Sequence, residues 1–361
     1  MILKIIANLE GGDLVTPDNE LTYKIYGSSD NYASPIATLG SAINDSKVSV
    51  ANGIVTIDNV DVGTEDVFKI SSVDEAGNEA ELSDAVSTFE GLLNEFPGAS
   101  LGLSLRLLDR NYTGFCIKVR RSSNNDELDI GFVNNELDTA SLLTFAGSGD
   151  AFVTIWYDPS GLNNNAFQTS AGNQPKIVDS GSVILDEGKP AILFSGLKWL
   201  QTVNPYPTNQ YLSAFYLATS TGIDQRVLDT RGTGGFGNRQ GWHAKYSDFK
   251  VDSFLIDDGS GDASAIEDIS YAGRNLVSNL VNGGANGFIK SFKNSVNLEN
   301  TSFVNSIDYD SGNVLTIGIN SNGQNTQRFN GKMQEVILYS ADKGSERVGI
   351  ENNINDYYSI Y

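Results

Sequence analysis

Apolar residues in this chain gather into short runs, many alternating with polar residues, and nearly every run stops at a cluster of Gly, Asn, Asp, Ser or Pro. A period of two puts one face of a strand on a core and the other in water, and turn residues at both ends hold each run to strand length. In LTYKIYG, Leu21, Tyr23 and Ile25 alternate with Thr22 and Lys24. In FCIKVRR the same reading puts Phe115, Ile117 and Val119 on one face and Cys116, Lys118 and Arg120 on the other. With 37 glycines in 361 residues, this punctuation runs the length of the chain and predicts an all-β protein with a few short helices. Two segments depart from it. NELDTASLLTFAG predicts a short helix with Asp138 or Thr139 as N-cap and Leu142, Leu143 and Phe145 on its apolar side. SERVGIENNINDYYSIY places Val348, Ile350, Ile354 and Tyr357 or Tyr358 at helical spacing, as a packing helix.

The length predicts two or three domains, and the charge divides them. Residues 1–92 hold sixteen acidic against four basic residues, the rest of the chain twenty-nine against twenty. TFEGLLNEFPGAS, residues 88–100, changes composition and carries a Pro-Gly step, so the boundary is expected there. This gives a first domain over 1–90, a linker over 91–100 anchored by Leu92, Leu93 and Phe96, and a second domain over 101–361.

A formal charge of −21 excludes nucleic acid as a partner, because phosphate binding needs a basic footprint. No apolar run approaches the roughly 20 residues that cross a bilayer, so no membrane insertion is expected. MILKIIANLEGG has neither a long apolar core nor a small-residue cleavage site, and no signal peptide is expected. The single cysteine, Cys116, rules out an intrachain disulfide and reads as a buried small side chain.

The most specific local patterns lie together. YTG at 112–114, the strand ending in VRR, DELDIGF, ELDTASLLTF, FVTIWYDPSG and the following QTSAGNQPKIV closely resemble the opening half of the catalytic domain of α-L-arabinofuranosidase B. They are similar also to the version of that domain in bacteriophage virion proteins, where small immunoglobulin-like modules accompany it. The resemblance is strong over 101–197 and weak but collinear from there to the C-terminus. FKISSVDEAGNEAELSDAVS, in turn, resembles the last hairpin of fibronectin type III and bacterial immunoglobulin-like domains. Together these imply an N-terminal Ig/FnIII-like β-sandwich, a docking or spacer module, followed by a larger concanavalin A-like, jelly-roll sandwich.

A retaining glycosidase needs two carboxyl groups about 5 Å apart, one as nucleophile and one as acid and base. The resemblance places the nucleophile in NRQGWHAKYS, residues 238–247, yet no Glu occurs between Glu187 and Glu267. It places the acid/base in IGINSNGQNTQRFNG, residues 317–331, yet no carboxylate occurs between Asp310 and Glu335. The expectation is a chain without this hydrolytic activity; Asp229, Asp248, Asp308 or Asp310 are the acids from which a relocated pair would have to come. In the family's Tyr-Asp-Gln-Ser-Gly motif Pro159 here replaces the glutamine, and Asp158 is expected to cap backbone N–H groups of the turn.

Other candidate sites follow from residue chemistry. Tyr206 and Tyr211 in the Pro-constrained NPYPTNQY, with Trp199 and Trp242, are the candidate glycan contacts, since aromatic faces flanked by amides stack on sugars and bond their hydroxyls. IDDGSGDASAIED offers Asp257, Asp258 and Asp262 as candidate Ca²⁺ ligands, although its spacing fails the EF-hand pattern; no other cofactor is expected. GTGGFG at 232–237 is followed by NRQGWHAKY, which is no helix start, and so fails the strand–loop–helix setting that a dinucleotide site requires. His243, the single histidine, excludes a multi-histidine metal site. The chain thus reads as a virion surface component (capsid decoration, head fibre or tail-associated adhesin) assembled in the host cytoplasm. Its expected partners are other virion proteins, host cell-surface polysaccharide and further copies of itself; an active glycoside hydrolase or a stand-alone lectin is the alternative.

Overall fold

The computed structural model of the protein describes residues 2–7, 20–51, 54–61, 67–83, 86–87, 91–202, 211–221, 225–230, 241–247, 250–256, 263–267, 273–283, 286–302, 314–319 and 328–361. They form two compact units, Met1–Glu90 and Gly91–Tyr361.

In the first unit Ile54–Asp61 lies between Ile2–Ala7 and Val48–Ala51, and a second sheet runs in the order Pro35–Leu39, Thr22–Gly27, Val67–Val73, Val86–Ser87. These orders are the B–E–D and C′–C–F–G patterns of immunoglobulin-type sandwiches. Alternation in LTYKIYG does what its period dictates: Leu21, Tyr23 and Ile25 are buried, and they pack with Val55, Ile57, Phe68 and Ile70 from both sheets. The DEAGN hairpin turns on Asp74, whose carboxylate accepts from the Asn78 amide at 2.7 Å, and on Gly77 at φ 86°.

The second unit is a β-sandwich built around Tyr211–Ser220. That strand pairs over its full length with Gly273–Asn282 and, on its other side, with Gly331–Tyr339, which continues to Ala99–Ser104. The run YLSAFYLATS is apolar almost throughout because both its faces are covered. Leu212, Ala214, Tyr216 and Ala218 point into the sandwich core, while Phe215 and Leu217 point outward into a second cluster with Leu92, Leu93, Ile350, Ile354 and Tyr358. The C-terminal helix Arg347–Tyr358 supplies that cover through Ile350, Ile354 and Tyr358, spaced four residues apart; Val348, expected on the same face, is 48% exposed.

The opposite layer starts at Glu127–Ile130 and runs through Ile117–Arg121 and Ala151–Trp156. It goes on through Ala166–Phe167, Leu200–Thr202, Leu315–Ile317 and Gln225–Asp229 to the strands Gly241–Ser247, Lys250–Ile256 and Ala263–Glu267. Lys176–Asp179 and Ile192–Phe194 bridge this layer to Gly331–Tyr339, closing the hydrogen-bonded system on itself. Trp156 is fully buried between the layers and donates its indole N–H to the Ser104 carbonyl at 3.0 Å. Gly331, ending the Phe-Asn-Gly turn, is required by contact: a Cβ there would lie 2.0 Å from the Thr219 carbonyl oxygen.

Local expectations meet the structure unevenly. The helix Thr139–Ala146 is capped by Asp138, whose carboxylate accepts from Ser141 N at 2.9 Å. In FCIKVRR the strand begins only at Ile117, so Phe115 precedes the alternation and is 49% exposed, whereas Cys116 is buried with its thiol directed at the Ser104 carbonyl. Residues 91–100, read as a linker, belong to the second unit: Leu92–Glu95 is helical and Ala99–Ser104 is an interior strand. Among the described residues no helix is long and apolar enough to cross a membrane.

Candidate functional site

Strand register assembles a row of side chains on the outer face of the second unit. Arg120 stands opposite Glu127 on one neighbouring strand and Phe152 on the other, and Phe152 stands opposite Lys176 on the next. Period two fixes the face: Ile117 and Val119 are buried, so Lys118 and Arg120 point out. Arg120 lies over the Phe152 ring with its guanidinium carbon 4.8 Å from the centroid, and Lys176 and Lys198 place their ammonium groups 5.7 and 5.9 Å from it. Each cation–π contact of this kind contributes about 0.5–1 kcal/mol at an exposed site.

The three cations differ in their partners. Lys176 is neutralised by Asp150 at 2.8 Å and Asp179 at 3.0 Å, and the Asp150 hydrogen bond holds its ammonium above the ordinary lysine range. Arg120 donates Nε to Gln174 Oε1 at 2.7 Å, Nη1 to Asn125 Oδ1 at 2.8 Å and Nη2 to the Ala171 carbonyl at 3.4 Å. Lys198 donates to the Gly172 carbonyl at 2.6 Å. Among the described residues neither Arg120 nor Lys198 forms an ion pair with a carboxylate. Burial, then the charges of Arg120 and Lys176, push the Lys198 amine below its ordinary pKa.

The loop between these cations is built by its own amides. Gln174, buried, donates to Gln168 O at 3.0 Å; Gln168 Nε2 donates to Trp199 O at 3.2 Å, and Trp199 N donates to Asn173 O at 3.0 Å. These bonds fix the 3₁₀ turn Ala171–Asn173, whose exposed tip offers its carbonyls to Arg120 and Lys198.

The residues singled out in the sequence fall elsewhere or only beside this row. Trp199 is half-buried and takes part through its backbone. Tyr211 opens its strand opposite Asn282 and is 37% exposed. Trp242 and His243 lie on the strand Gly241–Ser247, opposite Leu255 and Phe254, with only their backbone described. Tyr206, GTGGFG at 232–237, Asp248, Asp308, Asp310 and the candidate Ca²⁺ ligands Asp257, Asp258 and Asp262 lie outside the described residues. Within the described residues no three His, Cys, Asp or Glu side chains cluster as metal ligands.

Asp158 is buried at the Tyr-Asp-Pro-Ser-Gly turn. Its carboxylate accepts from Gly102 N at 2.8 Å, Ser160 N at 3.0 Å, the Ser160 hydroxyl at 2.7 Å and Asn164 N at 2.9 Å. The other buried carboxylates have partners of their own. Glu335 takes both Arg106 Nε at 2.9 Å and Nη2 at 3.0 Å, with the Ser104 hydroxyl at 2.7 Å. Glu351 accepts from Ser278 at 2.7 Å, Ser295 at 2.9 Å and Arg347. Asp186 accepts from Thr219 at 2.6 Å. Asp229, fully buried, lies 3.8 Å from Arg226 Nε.

No protein-family model and no curated protein matches the sequence. Among solved structures the chain is similar to a GH54 α-L-arabinofuranosidase soaked with a cyclic sulfate inhibitor, at 15% identity and a TM-score of 0.53. It is similar also to an arabinofuranosidase complexed with arabinofuranosyl-α-1,2-xylobiose, at 15% identity and a TM-score of 0.51. In both cases the match covers 71% of this chain and 62% of the enzyme, so the chain spans under two thirds of the enzymes' length. The chain contains their β-sandwich fold.

Proposed function

We propose that this chain is a non-catalytic surface protein of a bacteriophage virion whose larger sandwich engages host-cell polysaccharide while the first unit docks or spaces it. One observation carries the non-catalytic part: the chain shares the arabinofuranosidase β-sandwich fold, but NRQGWHAKYS and IGINSNGQNTQRFNG, where the sequence resemblance would put the nucleophile and the acid/base, contain no carboxylate. The partners of Asp158, Glu335 and Glu351 support it, since an acid held by several donors is poorly placed to exchange a proton with a leaving group. The polysaccharide part is supported by the fold, which it shares with an arabinofuranosidase solved in complex with arabinofuranosyl-α-1,2-xylobiose, and by the row at Phe152. The pairing of a small immunoglobulin-like module with such a sandwich supports the virion part.

Cryo-electron microscopy of the parent particle is expected to place copies on its outer surface; recovery of the protein only as a secreted monomer overturns the virion reading. Incubation with aryl arabinofuranosides and host polysaccharide is expected to release no sugar. Release that is lost in Asp229→Asn would restore the hydrolase.

A further inference from the structure

We infer that Arg120 and Lys198, flanking the exposed turn Ala171–Asn173, form a receptor for the carboxylate of an acidic sugar, so that the polysaccharide engaged is one bearing uronic acid residues. The inference deepens the polysaccharide reading and rests on it.

The starting point is charge. The protein carries −21 overall, and yet three cations converge on one phenylalanine ring. Like charges a few ångströms apart repel, and a folded surface keeps such a group where counter-charge offsets the repulsion. Asp150 and Asp179 supply it for Lys176; Arg120 and Lys198 meet only neutral oxygens. Glu127, opposite Arg120 on the ladder, forms no ion pair with it among the described residues.

The free donors have the right chemistry. A guanidinium carries five N–H groups, and Arg120 uses one each on Nε, Nη1 and Nη2, leaving one on each terminal nitrogen. Two donors on adjacent nitrogens are what a carboxylate accepts side by side. Lys198 uses one of its three N–H groups on Gly172, leaving two. The Phe152 ring beneath and the bond to Gln174 hold the guanidinium in place before any ligand arrives, which lowers the ordering cost of binding. Thr169, Ser170 and Asn173 border the same turn and supply hydroxyl and amide groups for sugar hydroxyls. A nucleic acid is a poor occupant, because its phosphates would face the remaining acidic surface.

The test is calorimetric titration of the full chain with α-1,4-linked trigalacturonate, its methyl ester, a neutral trisaccharide and inorganic phosphate. Trigalacturonate is expected to bind, to weaken as salt is raised, and to lose roughly tenfold in affinity in Arg120→Lys, which keeps the charge but not the fork. Lys198→Gln, whose native side chain hydrogen-bonds only the Gly172 carbonyl and lies 5.9 Å from the Phe152 ring, is expected to weaken it as well with little shift of the unfolding midpoint; it serves if the arginine variant fails to fold. Phosphate binding as tightly as trigalacturonate overturns the sugar assignment in favour of a simple anion site. Glycan binding that ignores both the methyl ester and the two variants overturns the inference and leaves the polysaccharide reading standing. If no glycan of either kind binds, the polysaccharide reading falls as well.

Discussion

At the scale of single residues, buried acids in this protein act as acceptors that tie segments together. Asp158 joins the Tyr-Asp-Pro-Ser-Gly turn to the interior strand Ala99–Ser104 through Gly102 N. Asp158→Ala strips the turn of its acceptor and is expected to cost about 2–4 kcal/mol in urea unfolding, since each buried donor left unpaired costs about 1–3 kcal/mol. Asp158→Asn keeps one acceptor oxygen and is expected to lose less. In the first unit Glu79 accepts from Lys24 at 2.6 Å and also from Ser71 and Tyr26. Burial disfavours its charge, but these donors, Lys24 first, outweigh it and hold the carboxyl down to about 2, from an ordinary 4.5. A depressed carboxyl stabilises the fold above its unfolded pKa and ceases to as pH falls through the folded one. The first unit should therefore lose stability between about pH 4.5 and pH 2, and Glu79→Gln should flatten that limb. Hydrogen exchange over residues 20–83 reads this directly; an unchanged acid limb in the variant would falsify it.

Among the elements, the C-terminal helix is tied both by apolar packing and by polar bonds. Its apolar side covers Phe215, Leu217 and Ile337, and its polar groups converge on Arg106. That side chain, 8% exposed, grips Glu335, donates to Asn353 at 3.0 Å and lies 5.0 Å from the Tyr357 ring. Tyr357 in turn donates to Glu136 at 2.8 Å, beside Lys189. Removing one member of a buried pair strands the other charge, so Arg106→Ala is expected to cost about 3–5 kcal/mol. Arg106→Met with Glu335→Leu should cost much less than the two single changes summed, and a double-mutant cycle by chemical denaturation measures the difference. The helix itself was legible from spacing, as was a cap at Asp138 or Thr139 for the earlier helix, because both depend on residues within one or two turns; the structure places the cap at Asp138. The Arg106–Glu335 pair was not, because its partners are separated by 229 positions.

For the whole molecule, the boundary drawn from composition put residues 91–100 outside the second unit, whereas Leu92 and Leu93 are buried in its outer cluster with Ile350 and Ile354. All three tryptophans, Trp156, Trp199 and Trp242, belong to that unit, so their fluorescence follows it alone. A chain starting at Gly91 is expected to unfold cooperatively by this signal. One starting at Leu101 loses two buried leucines at roughly 1.5–3 kcal/mol each and should melt well below it. Equal melting temperatures would return 91–100 to the status of a linker. The sequence by itself determined what is local: the strand period, the turn residues, the two main helices, and the absence of Asp and Glu from NRQGWHAKYS and IGINSNGQNTQRFNG. Only the tertiary structure decided which strands became neighbours. Arg120, Phe152, Lys176 and Lys198 come from four separate segments, and they meet because antiparallel register and a returning loop set them side by side. Alternation tells each residue which face it occupies, but register is a long-range pairing that no local period encodes. The candidate site was therefore readable only once the sheet had closed.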